Sequence, residues 1–258
     1  MLNVTAAQLD GWLAAFMFPL ARLLGLFASA PLWSNRGIPV RIRLAAGLAI
    51  AMAVLPALPE MPVVPTDSLH ALGILAHQVV IGAAIGFTMR LIMAAVDLAG
   101  EMIGLQMGLS FAVFFNPQTG GQTSVLAEFL NLLTLLVFLA LDGHLLLIQI
   151  LVQTFEWIPV GEAVSSRGWL VIVQHASVMF TAGVLMALPM IATLLIANIG
   201  LGILTRAAPQ LNLFAVGFPV TLTVGFFVLM ISLTLLGPML QRLIEHGFDA
   251  VEALLGAL

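Results

Sequence analysis

Residues 69–109 read LHALGILAHQVVIGAAIGFTMRLIMAAVDLAGEMIGLQMGL. Helical over about 40 residues, this stretch extends roughly 60 Å, about twice the hydrocarbon core of a bilayer. One straight spanning helix cannot account for it, so the excess apolar length has to be covered by something besides lipid. Gly100, Gly104 and Gly108 repeat at four, as do Gly82 and Gly86 earlier in the segment. Such a stripe lets helix backbones approach closely and drives packing where apolar burial cannot. Spacing alone leaves packing within the chain and packing against other chains equally open, and the over-long helix favours other chains.

The rest of the chain has the same character. Of its 258 residues 62% are hydrophobic, against roughly 45–50% in soluble domains, and its mean hydropathy is +1.16. A lipid-facing or assembly-buried surface is required. Only 8% of residues are charged, all eight basic residues are Arg, and the net charge is -4. That leaves no basic patch to hold phosphates, which argues against nucleic acid as a partner. With no Cys there is no disulfide framework, thiol nucleophile or Cys-ligated metal, and the redox compartment stays unspecified. The apolar run from Leu13 ends in Ala28-Ser29-Ala30, which resembles a signal-peptide cleavage site. No Lys or Arg precedes that run and Arg22 interrupts it, so we expect an uncleaved first helix.

Thr5 and Gln8 form a candidate capping box, so a helix over about 6–32 makes the first apolar span. The turn cluster Ser34 to Pro39 leads into a second span over 40–58, closed by Pro56 and Pro59. The segment 125–157 is again over-long and carries the turn-prone pair Asp142-Gly143, so it is expected as two shorter helices folded back at Asp142. Pro189 inside 171–204 and Pro219 inside 211–236 are each expected to kink or break a helix. A last amphipathic helix over 240–258 places Leu243, Ile244, Phe248, Val251 and Leu255 on one face. The fold class expected is an all-α membrane protein of about six hydrophobic segments, one integral-membrane domain over 1–258. Arg36, Arg41, Arg43, Arg90 and Arg206 lie in or beside alternate connections, against Arg167 and Arg242 on the other side. The positive-inside rule then places both termini away from the cytoplasm.

No catalytic centre is expected. The five His residues, His70, His77, His144, His175 and His246, show no metal-ligand spacing. Ser110 lacks the following Gly and the base that a nucleophile turn needs. Asp97 and Glu101 are four apart, so their carboxylates share a helix face and repel unless wetted, paired or protonated. They and Arg90 and Arg206 are candidate buried charges, and a proton relay is the sharper reading of the carboxylates. Gln106, Asn116 and Gln118 follow soon after and favour a wet or Arg-paired rim instead.

The most distinctive tract is 106–121, QMGLSFAVFFNPQTGG, in which three Phe residues run into a polar, Gly-rich loop. Non-helical backbone at membrane depth is tolerable only when buried in protein or lining a cavity. Aromatic rings in a narrow cavity exclude water and ions and so can close a pore. Without further information an interfacial Phe anchor or a plain core loop ranks first.

Gly108-Leu109-Ser110-Phe111-Ala112 through Pro117, Leu141-Asp142-Gly143-His144, Ala187-Leu188-Pro189, Asn198-Ile199-Gly200-Leu201-Gly202 through Arg206, Ala208-Pro209-Gln210, Phe214 and Gly217-Phe218-Pro219 occur in order along nearly the whole chain. With these motifs the sequence resembles the FliR family of flagellar type III secretion export-gate subunits. The resemblance implies a helical assembly with several copies of FliP and FliQ, FlhB attached on the cytoplasmic side and an FlhA ring below. It implies an inner-membrane location in the flagellar basal body, with much of the complex on the periplasmic side. Unfolded flagellar subunits would pass through a central channel driven by the proton motive force, with no cofactor held by this chain. The loop over 106–122, with Met107, Phe111, Phe114, Phe115, Asn116 and Pro117, matches the family's channel plug. Phe115-Asn116 stands where a smaller residue and Asp are often expected before Pro117, which puts only the plug's charge in doubt. The homologous subunit of a virulence injectisome is the alternative, and the Asp142-Gly143-His144 tract leans to the flagellar branch. A secondary transporter would show two halves with matching interruptions, and none is found.

Overall fold

The computed structural model describes residues 5–34, 37–62, 64–65, 68–109, 114–116, 121–162, 164–208 and 213–258. Seven α-helices are described: α1 (Ala6–Ser29), α2 (Val40–Val54, extended by a 3-10 turn Leu55–Ala57), α3 (Leu69–Gln106), α4 (Val125–Ala140), α5 (Gly143–Trp157), α6 (Arg167–Ala207) and α7 (Leu213–Ala257). The class is all-α membrane protein, with one small exception. Between α3 and α4 the three-residue strands β1 (Phe114–Asn116) and β2 (Gly121–Thr123) pair antiparallel, Phe115 opposite Gln122. Five helices are long and apolar enough to cross a membrane, or six spans if the bent pair of α4 and α5 counts as one.

The local signals act as physical chemistry dictates. Thr5 accepts from the Gln8 amide at 3.3 Å while the Gln8 side chain accepts from the Thr5 amide at 3.0 Å, a reciprocal cap that starts α1. Asp142 adopts φ 54°, a left-handed residue that stops α4 and restarts the chain as α5, so the segment is two shorter helices divided at Asp142. The prolines do not break their helices: α6 continues through Pro189, and α7 through Pro219 and Pro238. A proline removes one N–H, whereas ending a helix in apolar surroundings orphans several backbone groups, so the helix continues. The C-terminal stretch is therefore the last part of α7, with Leu243, Ile244, Val251 and Leu255 buried and Phe248 half-buried.

Contacts divide the chain into two compact units, Met1–Arg90 with Asp142–His175 and Gly247–Leu258, and Leu91–Leu141 with Ala176–His246. In the first, α1 runs parallel to the start of α3 at very close range. A methyl built on Gly82 would overlap the Arg22 carbonyl, one on Gly86 the Ser29 hydroxyl, and the Ser29 hydroxyl itself donates to the Ala83 carbonyl at 2.9 Å. α2 returns antiparallel, Gly47 meeting Leu24 and Phe27. The turn after α1 is held by Trp33 stacked on Phe27, ring centroids 4.2 Å apart. The core of the second unit joins Ala95, Ala99 and Ile103 of α3 to Leu126 and Leu130 of α4, Met190 and Leu194 of α6, and Leu229 and Leu240 of α7. Its helix spacing is again set by glycine, Gly100 lying against Ala127 and Gly104 against Ser124.

Candidate functional site

The candidate channel tract begins where α3 stops. Met107, expected as part of the plug, is wholly buried in the core of the second unit, where its side chain packs on Gly225 of α7. Gly108 follows at φ 77°, a conformation costly for any residue with a Cβ, and it faces the Phe218 ring. Phe114, Phe115 and Asn116 form β1, whose backbone is paired by β2. This pairing gives the backbone of these two short strands partners between two apolar helices. Phe111 and Pro117 lie outside the described residues.

The glycine stripe is used within each unit: Gly82 and Gly86 seat α3 on α1, and Gly100 and Gly104 seat α3 on α4. The tilt toward other chains is thereby corrected for these four positions. Flanking side chains still have backbone within reach, and no bilayer could supply so close a contact.

None of the four candidate buried charges is enclosed by this chain itself. Arg90, Glu101 and Arg206 are exposed in the single chain, and Asp97 is half-buried. A face that no neighbour of the same chain covers lets long charged side chains stay in contact with water or a partner. Among the described residues no group of three or more His, Asp or Glu is arranged to hold a metal ion.

Among the described residues the fully buried charge is Arg22, enclosed in the first unit together with Gln78 and Thr154. Its Nε donates to Gln78 Oε1 at 2.7 Å, Nη1 to Thr154 Oγ1 at 2.7 Å and Nη2 to the Ile158 carbonyl at 2.9 Å. The guanidinium also lies 4.0 Å from the centroid of the Phe155 ring. No carboxylate takes part in these contacts. The compensating negative charge is the C-terminal end of α5, whose last carbonyl groups lack helical partners and carry the negative pole of the helix dipole. Arg22 thus caps α5, binding α1, α3 and α5 through one side chain. Sequence reasoning used Arg22 only to reject a signal peptide. The available signal was Arg22, the one charged residue within the apolar run of α1; Gln78 beside His77 and Thr154 beside Gln153 did not stand out.

Surface exposure separates the helices. Of the apolar window of α3, 61% is buried, against 22% in α6 and 17% in α7. On α6 the exposed apolar residues run from Trp169 to Leu204, about 52 Å of helix, more than a hydrocarbon core of about 30 Å can cover, and α7 is longer still.

Comparison with known proteins agrees with this architecture. The sequence profile described as "Bacterial export proteins, family 1" matches residues 13–247. The chain is 42% identical to "Flagellar biosynthetic protein FliR" of Escherichia coli (strain K12), covering 100% of this chain and 99% of that protein. It is 39% identical to the protein of the same name from Pectobacterium carotovorum subsp. carotovorum, with the same coverage. A Bacillus subtilis (strain 168) protein of that name is 27% identical over 93% of this chain and 94% of its own length. With a profile covering most of its length and relatives aligned end to end, the chain belongs to the bacterial export proteins of family 1.

Proposed function

We propose that this chain is a subunit of the flagellar type III export gate in the bacterial inner membrane, where it helps to form and to close a channel for unfolded flagellar proteins. The observation that carries the reading is end-to-end similarity to flagellar biosynthetic proteins in a chain whose two longest helices leave most of their apolar surface uncovered. Sister subunits of the FliP and FliQ kind, several copies of each, are the natural cover, with FlhB and the FlhA ring on the cytoplasmic side and part of the assembly on the periplasmic side. In this reading the tract 106–122 is the plug, supported by the pairing of β1 with β2, which gives part of its backbone partners outside helical structure. Its Phe side chains exclude ions by dewetting a narrow passage until an extended substrate displaces them. The test is to delete residues 109–120 in the assembled gate and follow ion leakage and filament export. A raised leak with the particle intact supports the plug, and an unchanged leak rejects it. Co-purification without FliP- and FliQ-type partners would reject gate membership itself.

A further inference from the structure

Between Ile81 and Gln106 of α3 four residues are exposed, Phe87, Arg90, Glu101 and Leu105, and every other one is buried or half-buried. The four, with the half-buried Ala94 and Asp97, follow spacings of three and four, so they form one strip a single residue wide along the helix. Its other sides are closed by the chain's own helices, Gly82 and Gly86 lying on α1 and Gly100 on α4. An opening of that width is the seam that one further helix fills, as in a coiled coil. The chemistry of the strip alternates. Phe87 and Leu105, at its two ends, are apolar and 46% and 64% exposed. Arg90 and Glu101, between them, are charged and make no ion pair among the described residues, whereas Asp97 already has a partner. A hydrocarbon core that covered both Phe87 and Leu105, about 27 Å apart, would take in both free charges, and water would leave both apolar side chains wet. Arg90 and Glu101 are eleven positions apart, about three helical turns, so they point the same way.

We propose that this strip seats one helix of a sister subunit, apolar along the contact and carrying an acidic residue against Arg90 and a basic residue against Glu101, roughly eleven positions apart. Charge complementarity selects this occupant over lipid and over solvent. It also selects against a second copy of this chain. Two parallel copies would set Arg90 against Arg90, and the antiparallel pairing that would match Arg90 to Glu101 is closed to two chains inserted with the same orientation. The inference rests on the gate reading for the subunit that supplies the helix, while the order of charges is read from α3 alone.

The photoreactive side chain p-benzoylphenylalanine is placed at Phe87 or at Leu105 in the gate assembled in its membrane, and the adducts are mapped by mass spectrometry. Both positions should join the same sister chain, at points roughly 18 residues apart in one helix. The mapped segment should carry the two opposite charges at the stated separation. Arg90→Glu should lower co-purification of that chain about tenfold and Arg90→Gln less, and changing the mapped acidic residue to Arg should restore it beside Arg90→Glu. Adducts with lipid or export substrate alone, adducts with two different chains, or undiminished co-purification with Arg90→Glu overturn the seam and leave the gate reading standing. A parent chain that joins no gate overturns both.

Discussion

Arg22 shows how a charge survives inside an apolar helix. A guanidinium offers five donors in a planar fork, and three of them meet acceptors on two other helices. Arg22→Ala would orphan the Gln78 oxygen, the Thr154 hydroxyl as acceptor and the Ile158 carbonyl together, and should destabilise the chain by about 3 kcal/mol. Thermal unfolding in detergent would register this. Arg22→Lys should recover little of it, because a single ammonium on a flexible stem cannot reach three acceptors set on separate helices. Equal stability of the Lys variant and the parent would reduce Arg22 to a plain charge. Gly108 poses a simpler demand: at φ 77° any Cβ strains the end of α3, so Gly108→Ala should cost about 1 to 2 kcal/mol.

Between elements the decisive distances are those at which glycine touches backbone. In an apolar medium helices gain nothing from burying side chains that lipid would solvate equally, so close van der Waals contact and local hydrogen bonds must hold them. Gly82 on Arg22 and Gly100 on Ala127 are the two deepest such contacts of α3. Gly82→Val should force α1 and α3 apart and cost about 2 kcal/mol by overpacking. Gly73, on the same helix but with nothing within 4 Å, provides the contrast. Gly73→Ala should raise stability by about 0.5 to 1 kcal/mol, through helix propensity alone. Similar losses from the two substitutions would show that close approach is not what holds α3. The periodicity of glycine was legible in the sequence; its partner was not, because a stripe of small residues marks only that a backbone comes near and does not say whose.

For the whole molecule the uncovered surface lies mainly on α6 and α7. Ile196, 71% exposed on α6, is a position where a charge would disturb nothing within the chain. Ile196→Arg should leave helicity in detergent close to the parent's and abolish capture of the partner subunits, since an unpaired charge at a buried interface costs several kcal/mol. Undiminished capture with the arginine in place would move the contact to another face.

What the sequence alone determined follows from local and additive physics: mean hydropathy, segment length, the Thr5 cap and the left-handed break at Asp142 each depend on few neighbouring residues. Membrane residence and helical class rest on those features, and the family resemblance on the ordered motifs from Gly108 to Pro219. The tertiary structure decided what depends on residues distant along the chain. It selected Arg22 over Arg90 or Arg206 as the enclosed charge, placed Met107 in a core, and let helices pass through Pro189 and Pro219. A buried cation is stable only where acceptors from other helices converge on it, and a proline ends a helix only where the orphaned backbone groups can find other partners. Both conditions are set by packing in three dimensions.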